Sequence, residues 1–161
     1  MGNKNRKTWR YGPYSARRRY NETRSTYEKQ VNPLQLLVPI SVGELIDKIT
    51  ILKIKQQKAT DSQKLANINR ELEELTTTWN QANTTGIDIT DLENQLTRVN
   101  EDLWDIEDDI RAKEAAKDFD QEFIELARSV YKRNDLRAAL KKEINILTGS
   151  TLVEEKLYQE Y

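Results

Sequence analysis

The 161-residue sequence contains no cysteine and no histidine, and both absences exclude chemistry. Disulfides and zinc–thiolate centres need cysteine, while imidazole bases, Ser-His-Asp triads and nearly all transition-metal sites need histidine. What is left is carboxylate, lysine, arginine, tyrosine and hydroxyl chemistry. No apolar run approaches the ~20 residues of a membrane span. The basic start, Met1 to Arg10, is followed by no apolar stretch of the kind a secretory signal carries, so the expected compartment is the cytoplasm. Proline and glycine are scarce where they would interrupt helices. Pro13, Pro33 and Pro39 lie early, and the 122 residues from Ile40 onward hold only Gly43, Gly86 and Gly149. A stretch of that length predicts helices joined by few turns.

Charged residues make up 33% of the chain and hydrophobic ones 37%, with a mean hydropathy of -0.84, so the core must be a narrow stripe. The formal net charge of -1 conceals a division. Residues 1–30 carry nine basic groups against Glu22 and Glu28, a net of +7; the other 131 residues hold 17 basic and 25 acidic groups, a net of -8. The first segment contains Trp9, Tyr11, Tyr14, Tyr20 and Tyr27 but no Leu, Ile, Val or Phe. Such a composition cannot build a core, so residues 1–30 read as a disordered basic arm and residues 31–161 as one α-helical domain. Between two prolines, Leu34 to Ile40 reads as an extended segment or short strand packed on the helices.

Caps and periodicity propose four helices. Ser41-Val42-Gly43-Glu44 has the form of a capping box and starts the first, with Leu45, Ile49 and Leu52 on one face, Ile46 and Ile54 beside them, and Asp47, Lys48, Lys53 and Lys55 pointing elsewhere. Asp61 either caps a second helix or sits within a continuation of the first. Its stripe, Leu65, Ile68, Leu72, Leu75 and Trp79, steps by three and four like a coiled-coil seam. Thr90-Asp91-Leu92-Glu93 is a second capping box, ahead of Leu92, Leu96, Val99, Leu103, Ile106 and Ile110 in the same alternation. Lys117 to Asp120 reads as a turn with an N-cap. Phe123, Ala127, Val130, Leu140, Ile144 and Leu147 line the last helix, and Gly149 closes it. Leu152, Val153, Leu157, Tyr158 and Tyr161 give the tail enough apolar surface to dock back on the body. The expected fold is all-α: an antiparallel helical bundle or long coiled-coil hairpin. Two-position seams bury little per chain, which predicts a homo-oligomer.

Three blocks carry a family resemblance: Pro39 to Leu52 (PISVGELIDKITIL), Leu103 to Arg111 (LWDIEDDIR) and Phe123 to Asp135 (FIELARSVYKRND), with Leu152 to Lys156 (LVEEK) near the end. From about Val38 to the C-terminus the sequence resembles an uncharacterised family of small proteins from bacteria, cyanobacteria and their phages. The resemblance implies a single all-α unit, a microbial or phage source and, for a phage protein, the host cytoplasm or the virion as its location. It implies no activity. Other members begin near the lead-in, so the basic arm is an addition to the shared domain.

Three groups of residues are candidates for function. In the arm, Arg10, Tyr14, Arg17, Arg18, Arg19 and Tyr20 combine charge with flat rings and suit an acidic partner, either phosphates and bases of a nucleic acid or the acidic surface of a protein. Asp105 and Asp108, in the acidic run Glu101 to Asp109, form with Glu71 and Glu74 a distant likeness to the paired-carboxylate helices of Mg²⁺-dependent nucleotide pyrophosphohydrolases. The alternative is a solvated acidic face paired with Lys and Arg. On the last helix Asn134 and Arg137 interrupt the apolar seam and are expected to face Asp102, Trp104 and Asp105 across an antiparallel hairpin. Such a cluster either fixes register or, with Arg128, Tyr131 and Lys141, forms a pocket for an anionic small molecule such as a nucleotide. No residue compels a catalytic mechanism. The leading expectation is a non-enzymatic helical oligomer acting as an interaction or assembly module; the alternatives are a binding protein for nucleic acid or an anionic small molecule, and a Mg²⁺-dependent hydrolase.

Overall fold

The computed structural model describes residues 34–82 and 86–157, and divides the chain into one unit ending at Val38 and another beginning at Pro39. The basic arm, with Arg10, Tyr14, Arg17, Arg18, Arg19 and Tyr20, lies outside the described residues, as do Tyr158 and Tyr161. Residues 34–40 have no regular secondary structure, and no strand occurs among the described residues. The strand form of the lead-in is therefore not adopted.

Four helices follow: α1 (Val42–Lys58), α2 (Ser62–Gln81), α3 (Thr90–Ala116) and α4 (Gln121–Thr148). Their ends show the local chemistry that defines them. Ser41 Oγ accepts from the Glu44 amide at 3.2 Å, Asp61 from Lys64 at 2.8 Å and Asp120 from Phe123 at 3.0 Å, each filling an otherwise unpaired first-turn donor. The cap at Asp61 makes α2 a helix of its own, not an extension of α1. The capping box at Thr90 does not form. Thr90 is already inside α3, Asp88 Oδ1 accepts from its amide at 2.9 Å, and the Glu93 carboxylate reaches Lys53 at 2.8 Å. At the far end of α4, Gly149 adopts φ +63°, and the amides of Ser150 and Gly149 bond back to Asn145 and Ile146. These two bonds are the Schellman arrangement that a residue without Cβ permits.

The turn between Ala116 and Gln121 is short enough to fold α3 and α4 into a long antiparallel hairpin, and α1 packs against α2, α3 and α4 alike. Because three helices surround α1, its buried set runs well beyond one stripe: Leu45, Ile46, Ile49, Leu52 and Ile54, but also Asp47 and Thr50. The placement of Asp47 on an outward face is thus overturned, whereas Lys48, Lys53 and Lys55 are exposed. Leu96, Val99, Leu140, Ile144 and Ile89 complete the core. Among the described elements α2 packs on α1 only, and none of its residues is fully buried. On α4, Leu126 is half-buried where Ala127 was expected, and Ala127 and Leu147 are exposed. No helix among the described residues is long and apolar enough to cross a membrane.

Candidate functional site

The polar residues that interrupt the apolar seams meet at one level of the fold. Three helices supply them: Asp47 and Thr50 from α1, Asn100 from α3, and Asn134 and Arg137 from α4. Asp47, fully buried, is held on both carboxylate oxygens. Its Oδ1 accepts from Arg137 Nε at 2.8 Å and from Asn100 Nδ2 at 2.9 Å, and its Oδ2 accepts from Arg137 Nη2 at 2.5 Å. Thr50 Oγ1 accepts from Asn100 Nδ2 at 2.9 Å and donates to the Asp47 carbonyl at 2.8 Å. Arg137 Nη1 reaches Asn134 Oδ1 at 3.4 Å, while Asn134 Nδ2 donates to the Val130 carbonyl. The bidentate fork matches guanidinium to carboxylate geometry. The hydrogen bonding it donates to Asp47 is the chief reason the Arg137 guanidinium sits above its ordinary pKa, against the opposing effect of its own burial.

One turn further along α4, the buried Lys141 ammonium lies between two carboxylates, Glu44 at 2.6 Å and Glu154 from the tail. Burial works most strongly against its charge, yet the hydrogen bonds to Glu154 and Glu44 outweigh it and raise its pKa above the usual lysine value. A further turn on, Asn145 Oδ1 accepts from the Gly43 amide at 2.6 Å, and Ser150 Oγ accepts from the Val42 amide at 3.2 Å. The free amides at the start of α1 are therefore filled by α4 and the segment after it, with Ser41 filling that of Glu44. Glycine is required at 43, because a Cβ there would stand 2.4 Å from the Lys141 carbonyl oxygen. The buried Asn145 Nδ2 has no hydrogen-bond partner.

Beside this column lies an open pocket of about 990 Å³, lined by Tyr131, Asn134, Arg137 and Lys141 together with Glu44, Asp135 and tail residues 154–157. Four of the six residues expected at an anion site thus share one cavity. The other two do not line it: Arg128 pairs with Glu125 at 3.3 Å, and Trp104 lies under Lys58 Nζ at 5.5 Å. The expected partners across the hairpin are also different. Arg137 pairs with Asp47 of α1 and not with Asp102 or Asp105, which instead pair with Arg133 at 3.3 Å and Lys58 at 3.2 Å. The sequence reading missed Asp47, Thr50, Asn100 and Asn145. A signal for Asp47 and Thr50 was present: their i, i+3 spacing lies within a helix whose other residues from Leu45 to Ile54 are apolar except for Lys48 and Lys53.

The acidic pairs remain apart. Glu71 and Glu74 lie on α2, Asp105 and Asp108 on α3, and those two helices do not pack on each other. Glu71 is paired with Lys48 at 3.5 Å. Among the described residues no group of three or more acidic side chains is placed to hold a metal ion.

These features define a helical hairpin closed by a buried ion-pair cluster. The chain belongs to DUF6165, a family of unknown function that matches residues 36–161. No curated protein and no solved structure matches it. The matched range takes in all four helices and the tail, and leaves the arm outside.

Proposed function

We propose that this chain is a non-enzymatic assembly module whose helical body associates with further copies of itself, while the basic arm serves an acidic partner. One observation carries the reading. Every fully buried residue of the described chain lies within 41–54, 89–100 or 140–145, so residues 101–139 contain none. That outer part of the α3–α4 hairpin nevertheless keeps a seam of half-buried Leu103, Ile106, Ile110, Phe123, Leu126 and Val130, with Phe119, Ile124, Tyr131 and Leu136 exposed. A two-helix hairpin buries each seam on one side only, and a third or fourth helix is what normally completes it.

The charges of the pocket favour a structural role for it over anion capture. Arg137 is already neutralised by Asp47, and Lys141 by Glu44 and Glu154, so an incoming anion would compete with built-in carboxylates. The Asp47–Arg137–Asn100 cluster acts as a register pin that permits one alignment of α1 with α3 and α4. Light scattering after size exclusion tests the assembly reading on the full-length protein. A mass of two or more subunits is expected; a monomer mass of 18.9 kDa throughout the micromolar range overturns it.

A further inference from the structure

The pocket beside the buried column is short of an acceptor and short of a cation, and both shortages lie around Arg137. A guanidinium carries five N–H donors. Nε and Nη2 each give one to Asp47, and Nη1 makes a single long bond to Asn134 at 3.4 Å. Those bonds to Asp47 use the edge turned towards the buried carboxylate; along the other edge Nη1 and Nη2 each keep a further donor. The side chain is 28% exposed and lines the pocket, so this second edge meets the cavity. Two parallel donors of this kind match the oxygen pair of a carboxylate.

The missing cation follows from the ion pairs. Asp47 takes the charge of Arg137, which leaves one ammonium, that of Lys141, between Glu44 and Glu154. Three carboxylates therefore face two cations, a net of -1 beside the open edge of Arg137. Glu44 and Glu154 both lie close enough to contribute to the raised pKa of that guanidinium. Glu154 belongs to the tail, which was expected to return through its apolar residues and returns through ion pairs instead. Leu157 of the tail stays 93% exposed and, with Val130 and the exposed ring of Tyr131, gives the pocket an apolar part.

We infer that the pocket is a binding site for a free α-amino acid with an apolar side chain, its carboxylate on the open edge of Arg137 and its ammonium against Glu44 and Glu154. An anion alone would take up the donors but add to the excess of carboxylates. A cation alone would leave the donors empty. A group that carries both charges on neighbouring atoms answers both, and an α-amino acid does so, whereas a peptide holds its two charges at opposite ends. The ligand's side chain then lies on Val130, Tyr131 and Leu157, an apolar body fixed by a few converging polar groups. Every ion pair of the tail stays in place, and Glu154 acts from the tail as part of the site. The inference goes beyond the assembly reading and does not depend on the number of subunits.

Isothermal titration calorimetry of the full-length protein tests this with L-leucine, L-valine and L-phenylalanine, each matched by the same body without its amine and without its carboxylate. At least one amino acid is expected to bind, and its two single-charge analogues to bind at least about tenfold more weakly, the loss that one unmade charge-assisted hydrogen bond causes. Arg137→Lys keeps a cation opposite Asp47 but has no second edge, and should lose the amino acid while circular dichroism reports the helices. Glu154→Gln changes a side chain that is 59% exposed, so it decides the matter even if Arg137→Lys does not fold. It should weaken the amino acid and leave the analogue without an amine no weaker than before, a change of preference that a purely structural Glu154 would not produce. Absence of binding for all three amino acids throughout the millimolar range overturns the inference. So does equal or tighter binding of a single-charge analogue, or an unchanged preference in Glu154→Gln.

Discussion

Asp47 is the side chain on which α1, α3 and α4 converge, and its burial decides what a change there does. An ionised carboxylate at zero exposure is tolerable because Arg137 and Asn100 occupy its acceptor sites. Asp47→Asn keeps the shape but leaves Arg137 without a counter-charge, and the loss of one partner from a buried pair costs about 3 kcal/mol. Urea unfolding should show that loss as a lower midpoint at unchanged slope, and Asp47→Leu combined with Arg137→Met should recover most of it. Lys141 gives a separate pH signature. Its folded pKa lies above the ordinary 10.5, so its contribution is fully present below about that pH and is lost as pH rises through the folded value. The thermal midpoint should therefore fall on the alkaline side of 10.5, and Lys141→Met should flatten that limb relative to wild type.

At the scale of the element, two sequence motifs of the same form have different outcomes, and substitution should separate them. Ser41 caps α1 from a buried position, so Ser41→Ala should cost about 1 kcal/mol. Thr90 caps nothing, because Asp88 holds its amide; Thr90→Ala should stay within about 0.5 kcal/mol, checked in the same urea series. The contrast also explains what the sequence could reveal. The α3 seam and the turn at Asp120 were legible because a hairpin of two long helices imposes a strict three-four alternation that neighbours do not disturb. The start and apolar face of α1 were legible as well, with Lys48, Lys53 and Lys55 marking its outer side; Asp47 was not, since three helices surround α1 and it passed for a surface residue beside Lys48. The pocket was half legible: Asn134 and Arg137 stood out as breaks in an apolar seam. Their partner did not, because it lies ninety positions away on a helix that the hairpin argument leaves out.

For the whole molecule, the proposed assembly turns on which part of the chain would hold copies together. Removing residues 1–30 takes the formal charge from -1 to -8, which strengthens the mutual repulsion of the bodies. Against this, the core cluster of the described residues lies wholly within the unit that begins at Pro39. The shortened chain should keep the helical circular dichroism of the full-length protein and, at a given salt concentration, the same number of subunits by light scattering. Any nucleic acid that accompanies the full-length protein, read as excess absorbance at 260 nm, should disappear on the same deletion and decline with salt as lysine and arginine release counterions from phosphate. A fall in subunit number upon deletion would transfer the assembly role from the helical body to the arm. In that case the half-buried seam of the outer hairpin would have to be covered by something other than a second body.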